Sequence, residues 1–290
     1  MRPSRSRSRR TALAAAAALT ATLLGAPPAG AAVPGVSPPG ANDWSCRPSA
    51  AHPEPVVLVP GTFESMAKNW STLSPYLAGA GYCVFALDYG ETNGVPATGP
   101  VADSAAELAV FVDRVRTATG AREVDVVGHS QGGMMPRYYM HLLGGAAEVD
   151  DLVGIAPSNH GTEGLIVPPP EALGPTAPGP DNPLCQACTD QQAGSAFLQE
   201  LDASGDTVRG PDYTVIATVY DEVVTPYTSQ FLAGPARQVT NTTIQDLCPA
   251  DPVEHDQAPN DPVVHQLVLD ALERKGPGDP AYRPSCLPLP

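Results

Sequence analysis

The sequence predicts an α/β fold, a doubly wound and mostly parallel sheet flanked by helices within a single domain. Short apolar or β-branched runs alternate with longer segments of helical periodicity along the chain. Three of the runs are apolar throughout, as strands covered on both faces of a parallel sheet must be. No repeat or linker divides the sequence, and the roughly 259 residues after the N-terminal leader suffice for one large core.

The predicted elements follow one another in the order that this fold requires. Strands are predicted over residues 56–59, 83–87, 124–127, 152–156, 213–219 and 238–244. Apolar residues at helical spacing predict helices over 101–119, 131–143 and 193–201. A last helix is predicted to begin at Asp261-Pro262, a good N-cap followed by proline at the first helical position.

The N-terminus has the composition of a secretory signal peptide over residues 1–31. Its basic head consists of Arg2, Arg5, Arg7, Arg9 and Arg10. An apolar run over 12–24 follows, and Ala29-Gly30-Ala31 offers a cleavage site. The run is too short for a stable transmembrane helix, and no later segment is apolar for long enough. We therefore expect an extracellular protein without a transmembrane segment, with Arg9-Arg10 leaving the twin-arginine export route open.

The mature chain is strongly acidic. Without the five arginines of residues 1–31, 11 Lys+Arg face 31 Asp+Glu, a net charge of −20. Such a charge argues against nucleic acid or anionic membranes as partners and suits a soluble exoenzyme acting on neutral substrates. A role of the acidity in solubility alone remains open.

Six cysteines in an exported chain are expected to pair, and 15 connectivities are possible. Cys185 and Cys188 have the spacing of a redox motif, but they lie in a Pro-rich loop, which favours a short structural disulfide. A zinc site is not indicated, because no second ligand pair stands at a suitable spacing.

The strongest chemical signal is Gly128-His129-Ser130-Gln131-Gly132, which follows a predicted strand and opens a predicted helix. In the α/β-hydrolase fold a nucleophile stands on such a sharp turn, with small residues two positions to either side. The N-terminus of the helix favours the negative charge that develops. Ser130 is therefore the predicted nucleophile, and a glycine-rich turn without catalysis is the alternative.

A serine nucleophile needs a base and an orienting acid, which in this fold follow it along the chain. Asp221 comes just after a predicted strand, where catalytic groups collect in open α/β sheets; we favour it over its neighbour Glu222. His255 lies between the last predicted strand and the last helix, the position expected for the base. The backbone N–H of Gln131 and the N–H and hydroxyl of Thr62 are the predicted oxyanion donors.

Together these segments resemble the secreted class 2 lipases over most of the mature chain. The resemblance rests on Leu58-Val59-Pro60-Gly61-Thr62, Ser130-Gln131-Gly132-Gly133, Ala156-Pro157 with Gly161-Thr162, Tyr220-Asp221-Glu222-Val223-Val224, and Val253-Glu254-His255. It implies an α/β-hydrolase catalytic domain over 55–290, preceded by a Pro-rich segment over 32–54. It also implies a triad of Ser130, Asp221 and His255, and an oxyanion hole of Thr62 and Gln131.

The same resemblance implies disulfides Cys46–Cys83, Cys185–Cys188 and Cys248–Cys286. It implies no cofactor and no metal, and we expect a monomer.

The expected function is the hydrolysis of carboxylic esters through an acyl-enzyme on Ser130, with triacylglycerol at a lipid–water interface as the first candidate substrate. A short-chain carboxylesterase, a polyester hydrolase and a peptidase of the same fold are alternatives. A non-catalytic exported binding protein is a further one. Leu165, Ile166 and Val167, in the Pro-rich segment 163–183, could form an apolar lid or an ordinary surface loop.

Overall fold

The computed structural model describes residues 35–164, 166 and 184–286. The predicted signal peptide, the first residues of the Pro-rich segment 32–54 and most of segment 163–183 lie outside the described residues. Of the proposed lid, Leu165 and Val167 also lie outside them, whereas Ile166 is half-buried.

The described residues form one parallel sheet whose strands match the predicted runs in number and order. The strands are β1 (Val56–Val59), β2 (Val84–Ala86), β3 (Val124–His129), β4 (Val149–Ile155), β5 (Asp212–Ala217) and β6 (Val239–Thr243). Their order in the sheet is β2-β1-β3-β4-β5-β6, and every neighbouring pair is parallel. The chain passes from β1 to β2 at one edge of the sheet and then crosses back to β3, on the other side of β1. From there each following strand lies farther towards the opposite edge.

Helices connect the strands. They are α1 (Met66–Asn69), α2 (Leu73–Gly79), α3 (Val101–Thr119), α4 (Gln131–Leu142), α5 (Gln186–Asp190), α6 (Ala196–Asp202), α7 (Ile244–Leu247) and α8 (Pro262–Leu272). Helix α8 begins as predicted, because the Asp261 carboxylate accepts hydrogen bonds from the N–H groups of Val263 and Val264. Helix α3 ends at Thr119, because the next residue, Gly120, has a φ of 78°, which lies outside the right-handed helical region.

The two faces of the sheet each carry a hydrophobic core, as the continuous apolar strands predict. Leu108 of α3 and Met135 of α4 belong to the core on one face. Leu77 of α2 and Val264 and Val268 of α8 belong to the core on the other. Coverage of both faces confirms the doubly wound α/β fold.

The elements differ from the sequence prediction where polar or glycine residues stand at a boundary. Strand β4 begins at Val149, three residues before the predicted start, and includes the polar pair Asp150-Asp151. Helix α6 begins at Ala196 because Gly194 has a φ of 76° and the Ser195 hydroxyl caps the helix through the N–H of Leu198. The short helices α1, α2, α5 and α7 were not predicted.

Three disulfides hold the outer segments to this framework, in the pairing that the resemblance implies. They join Cys46 to Cys83, Cys185 to Cys188, and Cys248 to Cys286. Among the described residues, no helix combines the length and the apolar character needed to cross a bilayer.

Candidate active site

The predicted nucleophile lies at the carboxyl end of β3, on the turn that leads directly into α4. Ser130 has φ 53° and ψ −121°, a conformation that residues with a side chain rarely adopt. A Cβ on Gly128 would lie 1.8 Å from the carbonyl oxygen of Gly132, and one on Gly132 would lie 2.1 Å from that of Val59. Only glycine fits at either position, so the backbone has the strained turn that the motif predicts.

Asp221 and His255 meet at the same edge of the sheet. Asp221 follows β5, and its Oδ2 atom lies 2.7 Å from Nδ1 of His255. Both side chains are buried, at 7% and 3% exposure, whereas Glu222 is exposed. The structure therefore pairs the histidine with the acid that the sequence favours.

Both oxygens of the Asp221 carboxylate have hydrogen-bond partners. Its Oδ1 atom accepts hydrogen bonds from the N–H groups of Val223 (2.9 Å) and Val224 (2.7 Å). The Gln230 side-chain amide donates to Oδ2 at 2.8 Å. These hydrogen bonds fix the orientation of the oxygen that faces His255.

A buried chain of hydrogen bonds links two loops. One is the loop after β1 that contains Gly61 and the predicted donor Thr62, called here the oxyanion loop, and the other carries His255. The N–H of Gly61 donates to Asn69 Oδ1 at 2.8 Å, and Asn69 Nδ2 lies 3.1 Å from Nδ1 of His129. Nε2 of His129 lies 3.1 Å from the carbonyl oxygen of His255. Because a carbonyl can only accept, Nε2 carries the proton, and Nδ1 accepts from Asn69.

His129 is fully enclosed and neutral. Burial, together with the charge of His255, holds the pKa of the His129 imidazole well below its ordinary value. The ring centroids of His129 and His255 are 4.8 Å apart. The residue that precedes the nucleophile therefore contacts both Asn69 and His255.

The predicted oxyanion residues lie side by side. A Cβ on Gly61 would lie 3.2 Å from Cβ of Ser130, so the loop after β1 runs directly past the nucleophile. The Thr62 hydroxyl donates to Gln131 Oε1 at 2.8 Å and accepts from Gln191 Nε2 at 2.8 Å. Within the described residues the N–H groups of Thr62 and Gln131 have no protein acceptor, which leaves both available to an incoming oxygen.

Sequence reasoning missed the residues that support this site. Asn69 ends the unpredicted helix α1, Gln230 stands in a 3-10 helix, and Gln191 follows α5. Gln191 also accepts from the Ser158 hydroxyl at 2.9 Å. The burial of these three amides, at 4% exposure or less, is the signal that marks them, and it is visible only in the fold.

Two groups of side chains whose chemistry suits a metal ion occur among the described residues. One contains His160, Asp202 and Asp206, and the other contains Asp125, Asp150 and Asp151.

Comparison with known proteins gives a family and a fold. Residues 53–268 match the family Lipase (class 2). Aspergillus fumigatus lipase B superposes with a TM-score of 0.68 at 22% identity, covering 84% of this chain and 57% of that one. This chain thus spans less than two thirds of the Aspergillus protein. The mature form of a Bacillus licheniformis lipase has a TM-score of 0.57 at 16% identity, covering 78% of this chain and 94% of that one.

At these identities the two structures establish the α/β-hydrolase fold, and the family match covers most of the chain. The chain belongs to the class 2 lipases, a family of ester hydrolases.

Proposed function

We propose that this protein hydrolyses carboxylic esters through an acyl-enzyme on Ser130, with His255 as general base and Asp221 as its orienting acid. The observation that carries the proposal is the 2.7 Å contact between His255 Nδ1 and Asp221 Oδ2 at the edge of the sheet where the Ser130 turn lies. A histidine held through Nδ1 presents Nε2 as the proton acceptor.

In the first half-reaction Ser130 Oγ attacks the ester carbonyl carbon while His255 Nε2 accepts the hydroxyl proton. The carbonyl electron pair moves onto oxygen, and the N–H groups of Thr62 and Gln131 donate to it. The Thr62 hydroxyl now donates to Gln131, so it reaches the oxyanion only after rotating about its C–O bond. Collapse of the intermediate expels the alcohol, which takes the proton from His255.

In the second half-reaction water replaces the alcohol. His255 removes a proton from the water as it attacks the acyl carbon, and the same two N–H groups stabilise the second oxyanion. Breaking the bond to Ser130 Oγ releases the carboxylic acid, and the proton returns from His255 to the serine. His255 is neutral again after each half-reaction, and the two half-reactions together restore the Ser130 hydroxyl.

We further propose triacylglycerols as substrates and the extracellular space as the location. Val219 and Tyr220, at 39% and 49% exposure, immediately precede Asp221 in the sequence, and exposed large hydrophobic side chains suit contact with lipid. The three disulfides favour an oxidising compartment, in keeping with a signal peptide over 1–31. The catalytic domain that we propose covers residues 55–290. We propose that the mature protein acts as a monomer.

The test is the hydrolysis of p-nitrophenyl acetate, butyrate and palmitate and of emulsified triolein. The mature protein is compared with Ser130→Ala and with Ser71→Ala, an exposed serine on the same catalytic domain. We expect turnover of all four substrates, lost in Ser130→Ala and retained in Ser71→Ala. Turnover confined to acetate and butyrate would replace the lipase with a short-chain esterase, and activity of Ser130→Ala would refute the nucleophile.

A further inference from the structure

At the end of the sheet opposite to Ser130, an irregularity in β4 brings three aspartates together. Val124 of β3 pairs with Val149 of β4, and Val126 pairs with Leu152. One residue of β3, Asp125, therefore faces two residues of β4, the arrangement of a β-bulge. Bulges of this kind redirect side chains, and here the extra residue places Asp150 and Asp151 beside Asp125.

The three carboxylates converge on one small volume. One oxygen from each of Asp125, Asp150 and Asp151 lies within 4.8 Å of the other two. Ligand oxygens on opposite sides of a Ca²⁺ ion, each at 2.3–2.6 Å, are about 5 Å apart. The separation therefore leaves space for one such ion between the carboxylates.

Two of the carboxylates are buried with an unused oxygen. Asp125 is 3% exposed and Asp151 5% exposed, and the Oδ1 atom of each is enclosed without a hydrogen-bond partner. A buried acceptor without a partner costs about 1–3 kcal/mol. Asp150 is exposed, so the group opens to solvent on one side. An ion could reach the two buried oxygens from there.

The carboxylates of Glu54 and Glu123 add negative charge around the site, and the charges of Arg122 and Lys275 offset part of it at Asp150. Within the described residues, no Lys, Arg or His nitrogen lies within 4.0 Å of these three carboxylates. Burial and the neighbouring carboxylates raise the pKa values of Asp125 and Asp151. The hydroxyl of Tyr82 is also buried without a partner, and burial, followed by the charge of Asp125, raises its pKa.

We propose that Asp125, Asp150 and Asp151 bind one divalent cation, with Ca²⁺ as the ion that fits best. The site offers only oxygen, which selects hard cations, and it lacks the nitrogen or sulfur ligands that Zn²⁺ prefers. Ca²⁺ accepts irregular coordination completed by water, whereas Mg²⁺ requires a near-octahedral set of short bonds.

The bound ion stabilises the fold and takes no part in the proposed catalysis. It joins β3 to β4 at the ends of these strands farthest from the Ser130 turn, and it binds only the folded arrangement of the three aspartates. Its effect is therefore an increase in melting temperature that depends on Ca²⁺ concentration. Ester hydrolysis at 25 °C is unaffected.

The test compares melting temperatures of the full chain, freed of metal by chelation, in CaCl₂ and in NaCl of equal ionic strength. The variants are Asp150→Asn, whose exposed position preserves folding, Asp125→Asn, and Asp113→Asn, an exposed control on α3. For a dissociation constant of about 1 mM, we expect about 10 mM CaCl₂ to raise the melting temperature by roughly 3–6 °C. Calorimetric titration with CaCl₂ measures binding directly.

We expect the increase, and one equivalent of bound Ca²⁺, in the parent and in Asp113→Asn, and neither in Asp150→Asn or Asp125→Asn. An equal increase in all four proteins would assign the effect to the acidic surface and overturn the site. No increase in the parent would also overturn the site. Either result leaves the proposal for Ser130 untouched, because ester hydrolysis is measured separately.

Discussion

Asn69 connects two parts of the candidate active site that the sequence describes separately. Its Oδ1 atom accepts from Gly61 of the oxyanion loop, and its Nδ2 atom donates to His129 beside the nucleophile. Each of these buried hydrogen bonds contributes about 1 kcal/mol. Asn69 is therefore a positioning residue, which acts through the backbone of Gly61 and the ring of His129.

For Asn69→Ala we expect kcat for p-nitrophenyl butyrate to fall about tenfold with little change in KM. The reason is that the substitution misplaces the oxyanion donors, which bind the substrate oxygen mainly in the transition state. Asn69→Asp keeps the acceptor for Gly61 and loses the donor to His129, so its kcat is expected to lie between those of the parent and Asn69→Ala. Steady-state kinetics measures both variants. A lower melting temperature with unchanged kcat and KM would reduce Asn69 to a structural role.

His129 predicts a pH dependence of stability. Its pKa in the folded protein is well below the unfolded value of about 6.5, so the stability it contributes is present above that pH. As the pH falls below about 6.5, His129 binds a proton in the unfolded chain but stays unprotonated in the folded protein. The free energy of unfolding then falls by as much as about 1.4 kcal/mol per pH unit for this residue.

Replacing His129 with Gln removes this titration. Urea unfolding of His129→Gln at several pH values between about 6.5 and 5 should show a shallower loss of stability than the parent. Parallel curves for the two proteins would mean that His129 is protonated in the folded state.

At the residue scale, sequence patterns suffice for side chains whose position along the chain is dictated by the fold. Ser130, Asp221 and His255 each come after a strand in the sequence, and in the structure His255 Nδ1 lies 2.7 Å from Asp221 Oδ2. Asn69 and Gln191 carry no such pattern, because their partners beside the nucleophile, His129 and Gln131, each lie 60 positions away in the sequence. Their contacts arise only when the loops meet.

At the scale of elements, three of the strands were predictable because their runs are apolar throughout, as burial on both faces of a parallel sheet requires. Helix α3 was predicted with the bounds that the structure has. The helices that were missed, such as α1 and α5, have four and five residues, too few to show a helical period. The start of β4 was missed because Asp150 and Asp151 have the polarity of a loop, whereas they form a bulge within the sheet.

Helix α4, which begins at the nucleophile turn, is fastened by one buried arginine. Arg137 donates to Asp202 at 3.2 Å and to the carbonyl oxygen of Asn159 at 2.8 Å, and Asp206 lies 3.6 Å away. Its side chain is fully buried, so these contacts join α4 to α6 and to the loop after β4. Burial lowers the pKa of this guanidinium, while both aspartates favour its charged form.

We expect Arg137→Gln to lower the free energy of unfolding by about 3 kcal/mol, because it removes the charged partner of Asp202 and one of the partners of Asp206. Arg283→Gln, at an exposed arginine of the C-terminal segment, should change it by less than about 1 kcal/mol. Urea unfolding measures both. Equal, small effects would show that the arginine does not fasten α4.

At the scale of the whole molecule, the sequence predicts that six cysteines pair, but the pairing depends on which segments meet in the fold. Cys46–Cys83 and Cys248–Cys286 close loops with sequence separations of 37 and 38, whereas Cys185–Cys188 spans 3. The sequence alone favoured only the short Cys185–Cys188 disulfide, and the full pairing came from the family resemblance.

The loop lengths predict unequal contributions to stability. Replacing Cys248 and Cys286 together by Ser should lower the free energy of unfolding by about 4 kcal/mol, through the added entropy of the unfolded chain. The same change at Cys185 and Cys188 should cost about 2 kcal/mol, since the loop is short. Urea unfolding of the two double variants compares them, and a larger loss at Cys185 and Cys188 would contradict the loop-entropy explanation.

The central claim is that Ser130 is a nucleophile activated by His255 and Asp221, and reaction with a fluorophosphonate measures this most directly. Intact mass and peptide mapping of the mature protein should show one adduct, on Ser130. His255→Ala should slow its formation at least about a thousandfold, in keeping with loss of the base. An adduct on another serine, or labelling of Ser130 at an unchanged rate in His255→Ala, would contradict the account.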